Sequence, residues 1–231
     1  MKTIGMIGGM SWESSVEYYR IINETIRDRL GGVHSAKSVL VSVDFAEIEA
    51  LQKQGRWEEA TQAMVAAARQ VEAGGADCVL ICANTMHKMA AEVQASIRIP
   101  LLHIIDATAE VVKAAGLHKL GLLGTRYTME EDFYRGRLIE KHGLQVVTPN
   151  ADDRTIIHNV IYEELVAGKI DPASKAEYLR IMDGLAQQGV EGIILGCTEI
   201  GMLVKQADSP LPLFDTARLH ALAAVKYALE G

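Results

Sequence analysis

Cysteine is scarce in this chain: three residues in 231, Cys78, Cys82 and Cys197. Thiols so placed form neither a disulfide framework nor a Cys-x-x-Cys metal pair, and a reducing cytoplasm is the expected home. No run of lysine or arginine stands out, and the formal charge is −7. That argues against a nucleic-acid partner or an anionic membrane surface. No stretch approaches the roughly 18 consecutive apolar residues of a membrane span. The opening residues Met1-Lys2-Thr3-Ile4-Gly5-Met6-Ile7-Gly8 are glycine-broken and read as a first strand, not as a signal peptide. His103, His158 and His220 show no mutual spacing that suggests a metal site, and no metal is expected.

What is present is apolar sequence in a regular rhythm. Hydrophobic residues make up 49% of the chain, enough to bury the core of one large α/β domain or of two compact lobes. Short apolar runs at Thr3–Ile7, Ser38–Val43, Cys78–Cys82 and Pro100–Ile105 read as strands. Helical periodicity fills 14–30, 57–73, 88–96 and 107–115 between them. Then the pattern begins again. Leu120-Gly121-Leu122-Leu123-Gly124-Thr125 repeats Ile4-Gly5-Met6-Ile7-Gly8-Gly9 at an offset of 116. The stretch from Gly189 to Thr198 repeats that from Gly75 to Asn84 at an offset of 114. Leu211-Pro212-Leu213 echoes Ile99-Pro100-Leu101. Between these anchors lie expected helices at 131–142, 155–165 and 175–188 and a strand at 145–148. Two copies of one βαβ set predict an α/β fold of two pseudo-symmetric lobes. Each is a mostly parallel sheet flanked by helices, with right-handed crossovers. The expected division is 1–103, completed by a C-terminal helix 216–231, and 104–215.

In such folds ligands bind outside the carboxyl ends of the strands. The loops there are Gly8–Trp12, Ala83–His87, Gly124–Thr128 and Gly196–Glu199, expected to meet across one cleft between the lobes. They carry Met10, Ser11, Asn84, Thr85, Thr125 and Thr198, and nearby helix N-termini would offer N–H groups to a small anion such as a carboxylate. Taken singly, Ser, Thr and Asn here are also ordinary helix caps; their convergence is what suggests a site. Cys197 stands at the end of the strand Gly192–Leu195. A thiol at such a turn, beside helix N-termini, has reason to ionise more easily than free cysteine. The plainer alternative is a small apolar residue packed under the sheet. Aligning the halves places Ala83 at the position equivalent to Cys197. Cys82 then aligns with Gly196, and a shift of one residue turns a side chain to the other face, so Cys78 and Cys82 read as core.

Gly8-Gly9-Met10-Ser11-Trp12, Asn84-Thr85-Met86-His87 and Gly196-Cys197-Thr198-Glu199 resemble the signature loops of the aspartate/glutamate racemase family, over nearly the whole chain. The resemblance implies two pseudo-symmetric lobes in a homodimer and racemisation of amino acids without pyridoxal phosphate or other cofactor. It also implies two cysteines flanking the substrate Cα, one removing the proton and the other returning it. Cys197 matches one of them. At the other this chain has Ala83, either through an engineered substitution or as a natural one-thiol member. Glu199 would assist Cys197, or simply cap a helix. The family's basic side chains for an acidic substrate's distal carboxylate fall at Val166 and near Gln52, which leaves neutral or polar amino acids open. The expected function is therefore a cofactor-independent amino-acid racemase. Its rivals are a single-thiol decarboxylase or isomerase of the same superfamily, and an amino-acid-binding protein that has lost half its catalytic pair.

Overall fold

A computed structural model describes residues 1–230 of the chain. Gly231, the last residue of the expected helix 216–231, lies outside the described residues. The chain divides into two compact units. Unit 1 is Met1–Ile104 with the chain from His220 onward, and unit 2 is Ile105–Leu219.

Unit 1 is built on a parallel sheet of β1 (Ile4–Gly8), β2 (Ser38–Ser42) and β3 (Cys78–Ile81), in the order β2-β1-β3. Central β1 and β3 are buried at every position, which is why both read as unbroken apolar runs instead of alternating ones. The helix Trp57–Ala73 lays Ala60, Met64, Ala67, Ala68 and Val71 toward the core, the spacing of one helical face. With Ile7, Val79, Ile81 and Met86 they form the unit's apolar cluster.

Unit 2 repeats the plan with β4 (Lys119–Gly124), β5 (Gln145–Val147), β6 (Gly192–Gly196) and β7 (Leu213–Asp215), all parallel, in the order β5-β4-β6-β7. Its core gathers Leu123, Ile157, Tyr178, Ile181, Ile193 and Ile200. The internal repeat is visible in the pairing. Ile7 stands opposite Ile81 and Leu123 opposite Leu195. Val79 N donates to Pro100 O at 2.9 Å, and Ile193 N donates to Pro212 O at 2.9 Å.

Three expected elements differ. Pro100–Ile105 is not a strand: only Leu101 makes an isolated parallel bridge, to Val79, and the helix Ile104–Ala114 has already begun. The helix that starts at Ile104 takes up residues that a longer strand would need, whereas after the equivalent Pro212 the strand Leu213–Asp215 runs on. The expected helix 131–142 is broken into Asp132–Gly136 and a π-helical turn Arg137–Lys141. The helix expected over 88–96 starts as a 3₁₀ turn, Thr85–Met89, before Ala90–Ser96.

At the carboxyl ends of the strands the backbones come close. Gly124 faces Gly196 across β4 and β6. A Cβ on Gly124 would sit 2.8 Å from Gly196 O, and one on Gly196 would sit 2.7 Å from Leu123 O. In unit 1, Gly9 has φ +92°, and a Cβ there would meet Val43 O at 2.2 Å. Only glycine fits either turn. No described helix is long and apolar enough to cross a membrane.

Candidate active site

In unit 2, β6 ends at Gly196 and delivers Cys197, Thr198 and Glu199 into a loop where all three are buried. Cys197 Sγ lies 2.9 Å from Glu199 Oε2, and Thr198 Oγ1 donates to the same oxygen at 2.8 Å. A carboxylate only accepts, so the thiol proton points at Glu199. Burial, and then the neighbouring Glu199 carboxylate, push the Cys197 thiol well above the ordinary cysteine range. This reverses the expectation of an easily ionised thiol. The helix that was to favour the thiolate, Ile200–Leu203, is four residues long, so its dipole is small while desolvation is nearly complete. In its resting form the site is a thiol hydrogen-bonded to a carboxylate, a pair that can pass one proton between them. Thr198, expected to bind substrate, spends its hydroxyl proton on fixing Glu199. Thr125 N-caps the helix Arg126–Glu130 and accepts from Thr128 N at 3.3 Å, while Thr216 Oγ1 donates to Leu195 O at 2.7 Å, bracing the strand before Cys197.

In unit 1 the equivalent loop runs from Cys82 through Ala83, Asn84 and Thr85, all buried. Ala83 and Met10 both belong to the unit's apolar cluster. Ser11 caps the helix Trp12–Leu30 by accepting from Ser14 N. Ser15 Oγ accepts from Gly9 N at 2.8 Å and donates to Ser11 O at 3.0 Å. Asn84 does not cap the 3₁₀ turn that follows it. Gln52 is buried and its Nε2 contacts Met86 Sδ at 3.1 Å, which ties it to the Asn84–Met86 turn. Val166 instead packs against the unit 2 core. Cys78 and Cys82 are wholly buried. Desolvation pushes the Cys78 thiol up to about 11 and that of Cys82 further still.

One constellation was not legible in the sequence. His87, at the end of the Asn84-Thr85-Met86-His87 motif, is buried. Its Nδ1 lies 2.8 Å from Ala83 O, and its Nε2 accepts from Ile104 N at 3.2 Å. A carbonyl can only accept, so Nδ1 carries the hydrogen and the ring is neutral. His220 Nε2 donates to Leu102 O at 2.6 Å and its Nδ1 takes Tyr18 Oη at 2.8 Å. Burial, then His87, push His220 down to about 3. The His87 ring centroid lies 4.6 Å from that of His103 and 5.7 Å from that of His220. Among the described residues no group of His, Cys, Asp and Glu is arranged to hold a metal ion. Only the long chain separation between these partners hid them; no local signal could have revealed them.

The model of the Asp/Glu/hydantoin racemase family matches residues 7–224. The chain belongs to that family. Among solved structures, it is similar to a Yersinia pestis protein grouped with the Asp/Glu racemases. The two are 53% identical with a TM-score of 0.91, over 99% of this chain and 100% of the other. An aspartate racemase homologue from Pyrococcus horikoshii is 35% identical with a TM-score of 0.85, over 99% of both chains. A broad-specificity amino-acid racemase of Bacillus subtilis is 23% identical over 175 residues, 73% of this chain and 72% of its own. Asp/Glu/hydantoin racemase membership fits a duplicated parallel α/β fold with a cysteine at the end of one strand.

Proposed function

We propose that this protein is a cofactor-independent amino-acid racemase in which Cys197 exchanges the α-proton. The observation that carries this reading is the buried Cys197–Glu199 pair, 2.9 Å apart at the end of β6. An α-proton is a weak acid, and the thiol as it rests cannot remove it. Glu199 first takes the Sγ–H proton, and the thiolate so formed then takes the proton from Cα. The electron pair left on Cα spreads into the α-carboxylate, where backbone N–H groups of the strand-end loops would stabilise it. Thr198 holds the Glu199 oxygen in line throughout. The substrate is an amino acid with free α-amine and α-carboxylate. Gln52 and Val166, at the two positions where basic partners of a distal carboxylate were expected, are neutral, which favours a relaxed side-chain preference.

Ala83 favours a second reading: a single thiol that protonates one face of a carbanion serves a decarboxylase or one-sided isomerase as well. The two separate in a screen of the common amino acids of both hands in deuterated water. Racemisation predicts deuterium at Cα together with appearance of the other enantiomer, for neutral as well as acidic substrates. Exchange confined to aspartate and glutamate would overturn the relaxed specificity, and exchange without inversion would favour the one-sided reading. No exchange with any amino acid would overturn the proposal.

A further inference from the structure

Gly124 and Gly196 nearly touch at the carboxyl end of the unit 2 sheet, and a third residue closes the same corner. Thr128, in the helix Arg126–Glu130, is wholly buried. Its Cγ2 methyl lies against both glycines: a Cβ on Gly124 would sit 2.9 Å from it, and one on Gly196 3.1 Å from it. Gly196 is the residue before Cys197. Whatever fixes its backbone sets the direction in which the thiol leaves β6.

Two other braces act on the same stretch. β4 pairs with one edge of β6, with Gly124 opposite Gly196. β7 pairs with the other edge, and Thr216, just beyond its end, donates its hydroxyl to Leu195 O at 2.7 Å. The methyl of Thr128 adds an apolar contact where the ladder stops and the loop begins. Its hydroxyl is engaged elsewhere, 3.2 Å from Thr125 Oγ1. All of these residues belong to unit 2.

Unit 1 fills the same corner differently. Ser14 stands 114 residues before Thr128, and its N–H goes to the cap Ser11 as that of Thr128 goes to the cap Thr125. Serine has no methyl. Its Oγ donates instead to Cys82 O at 3.5 Å, and Cys82 is the counterpart of Gly196 in the repeat. The apolar wedge thus belongs to the unit that carries Cys197.

The geometry points to Thr128 as a positioning residue for Cys197: its methyl, set against Gly196, holds the thiol in line with Glu199. This rests on the racemase reading, in which Glu199 takes the Sγ–H proton across 2.9 Å. Misplacing a reacting group by ~1 Å can cost about 10²-fold in rate, and the void left by one methyl allows a smaller shift. The other ionisable groups that sense Cys197 are the phenols of Tyr134 and Tyr178, which burial holds well above the ordinary tyrosine range. Glu199 is therefore the charge to which the thiol answers, and any displacement between the two registers in the chemistry of the sulfur.

The test compares the unaltered protein with Thr128→Ser, which keeps the hydroxyl and loses the methyl, and Thr128→Val, which keeps the methyl and loses the hydroxyl. Two readouts are followed. One is deuterium incorporation at Cα of the amino acids that the unaltered protein exchanges. The other is the rate of Cys197 alkylation by iodoacetamide against pH, with the buried Cys78 and Cys82 reporting that the core is intact. Thr128→Ser is expected to exchange about 10-fold more slowly, in kcat more than in KM. It is also expected to alkylate at lower pH, because a thiol displaced from the Glu199 carboxylate ionises more easily. Thr128→Val is expected to match the unaltered protein in both. Either readout unmoved in Thr128→Ser, or moved as far in Thr128→Val, would overturn the assignment. Should the unaltered protein exchange no amino acid, the racemase reading fails, and the alkylation profile alone decides whether Thr128 positions the thiol.

Discussion

The loops that follow β3 and β6 stand at equivalent places in the internal repeat and carry different chemistry. In unit 2, β6 ends in a thiol aimed at a carboxylate held by a neighbouring threonine. In unit 1, the equivalent residue is an alanine whose carbonyl is fixed by a neutral, buried histidine. Duplication has preserved the parallel strand pairing, Ile7 opposite Ile81 and Leu123 opposite Leu195, and a crowded glycine at the ends of β1 and β4, Gly8 and Gly124. It has not preserved the thiol, which is Cys197 in one loop and Ala83 in the other. A repeat therefore predicts where chemistry can be mounted, and only the side chains say which half performs it.

The sharpest way to break this comparison is at Cys197. Cys197→Ser keeps the size of the side chain, and a hydroxyl is a far poorer acid than a thiol. Exchange of the α-proton is expected to fall by at least ~10²–10⁴-fold, as read by deuterium incorporation, while Cys78→Ser and Cys82→Ser leave no such signature beyond their effect on stability. A Cys197→Ser variant that exchanges at the original rate would remove unit 2's claim to the chemistry.

A smaller effect sharpens the contrast from the side of unit 1. His220 is neutral in the folded protein, with its pKa lowered to about 3, whereas an exposed histidine titrates near 6.5. The stability this contributes is present above about pH 6.5 and is lost as pH falls toward 3, because the unfolded chain takes up the proton first. The slope approaches about 1.4 kcal/mol per pH unit. Denaturant unfolding across that window is expected to show the loss, and His220→Gln, which cannot titrate, to flatten it. An equal slope in the variant would mean that another group drives the acid transition.

Much of this architecture could be read from the chain alone, for physical reasons. Parallel strands covered on both faces must be apolar throughout, so the runs Cys78–Cys82 and Gly192–Leu195 declared themselves, and an internal repeat at offsets of 116 and 114 implied a second sheet like the first. Errors came where a local signal lost to its surroundings. The helix from Ile104 took residues that a longer strand after Pro100 would need, so that only Leu101 pairs. Cys197 was expected to ionise readily on the strength of a helix that is only four residues long, when burial and Glu199 decide its proton. The histidine cluster depends on His220 meeting Leu102, 118 residues away, and Tyr18, 202 residues away.

The central claim is that Cys197 exchanges the α-proton of an amino acid, and that the position equivalent to it in the repeat, Ala83, has no thiol. The most direct measurement follows deuterium incorporation and optical rotation together in the protein and in its Ala83→Cys and Ala83→Ser variants. The account predicts exchange faster than inversion in the unaltered protein. It predicts inversion raised by up to ~10²–10⁴-fold by Ala83→Cys, and less by Ala83→Ser. Inversion as fast as exchange in the unaltered protein, and indifferent to a thiol at position 83, would contradict it.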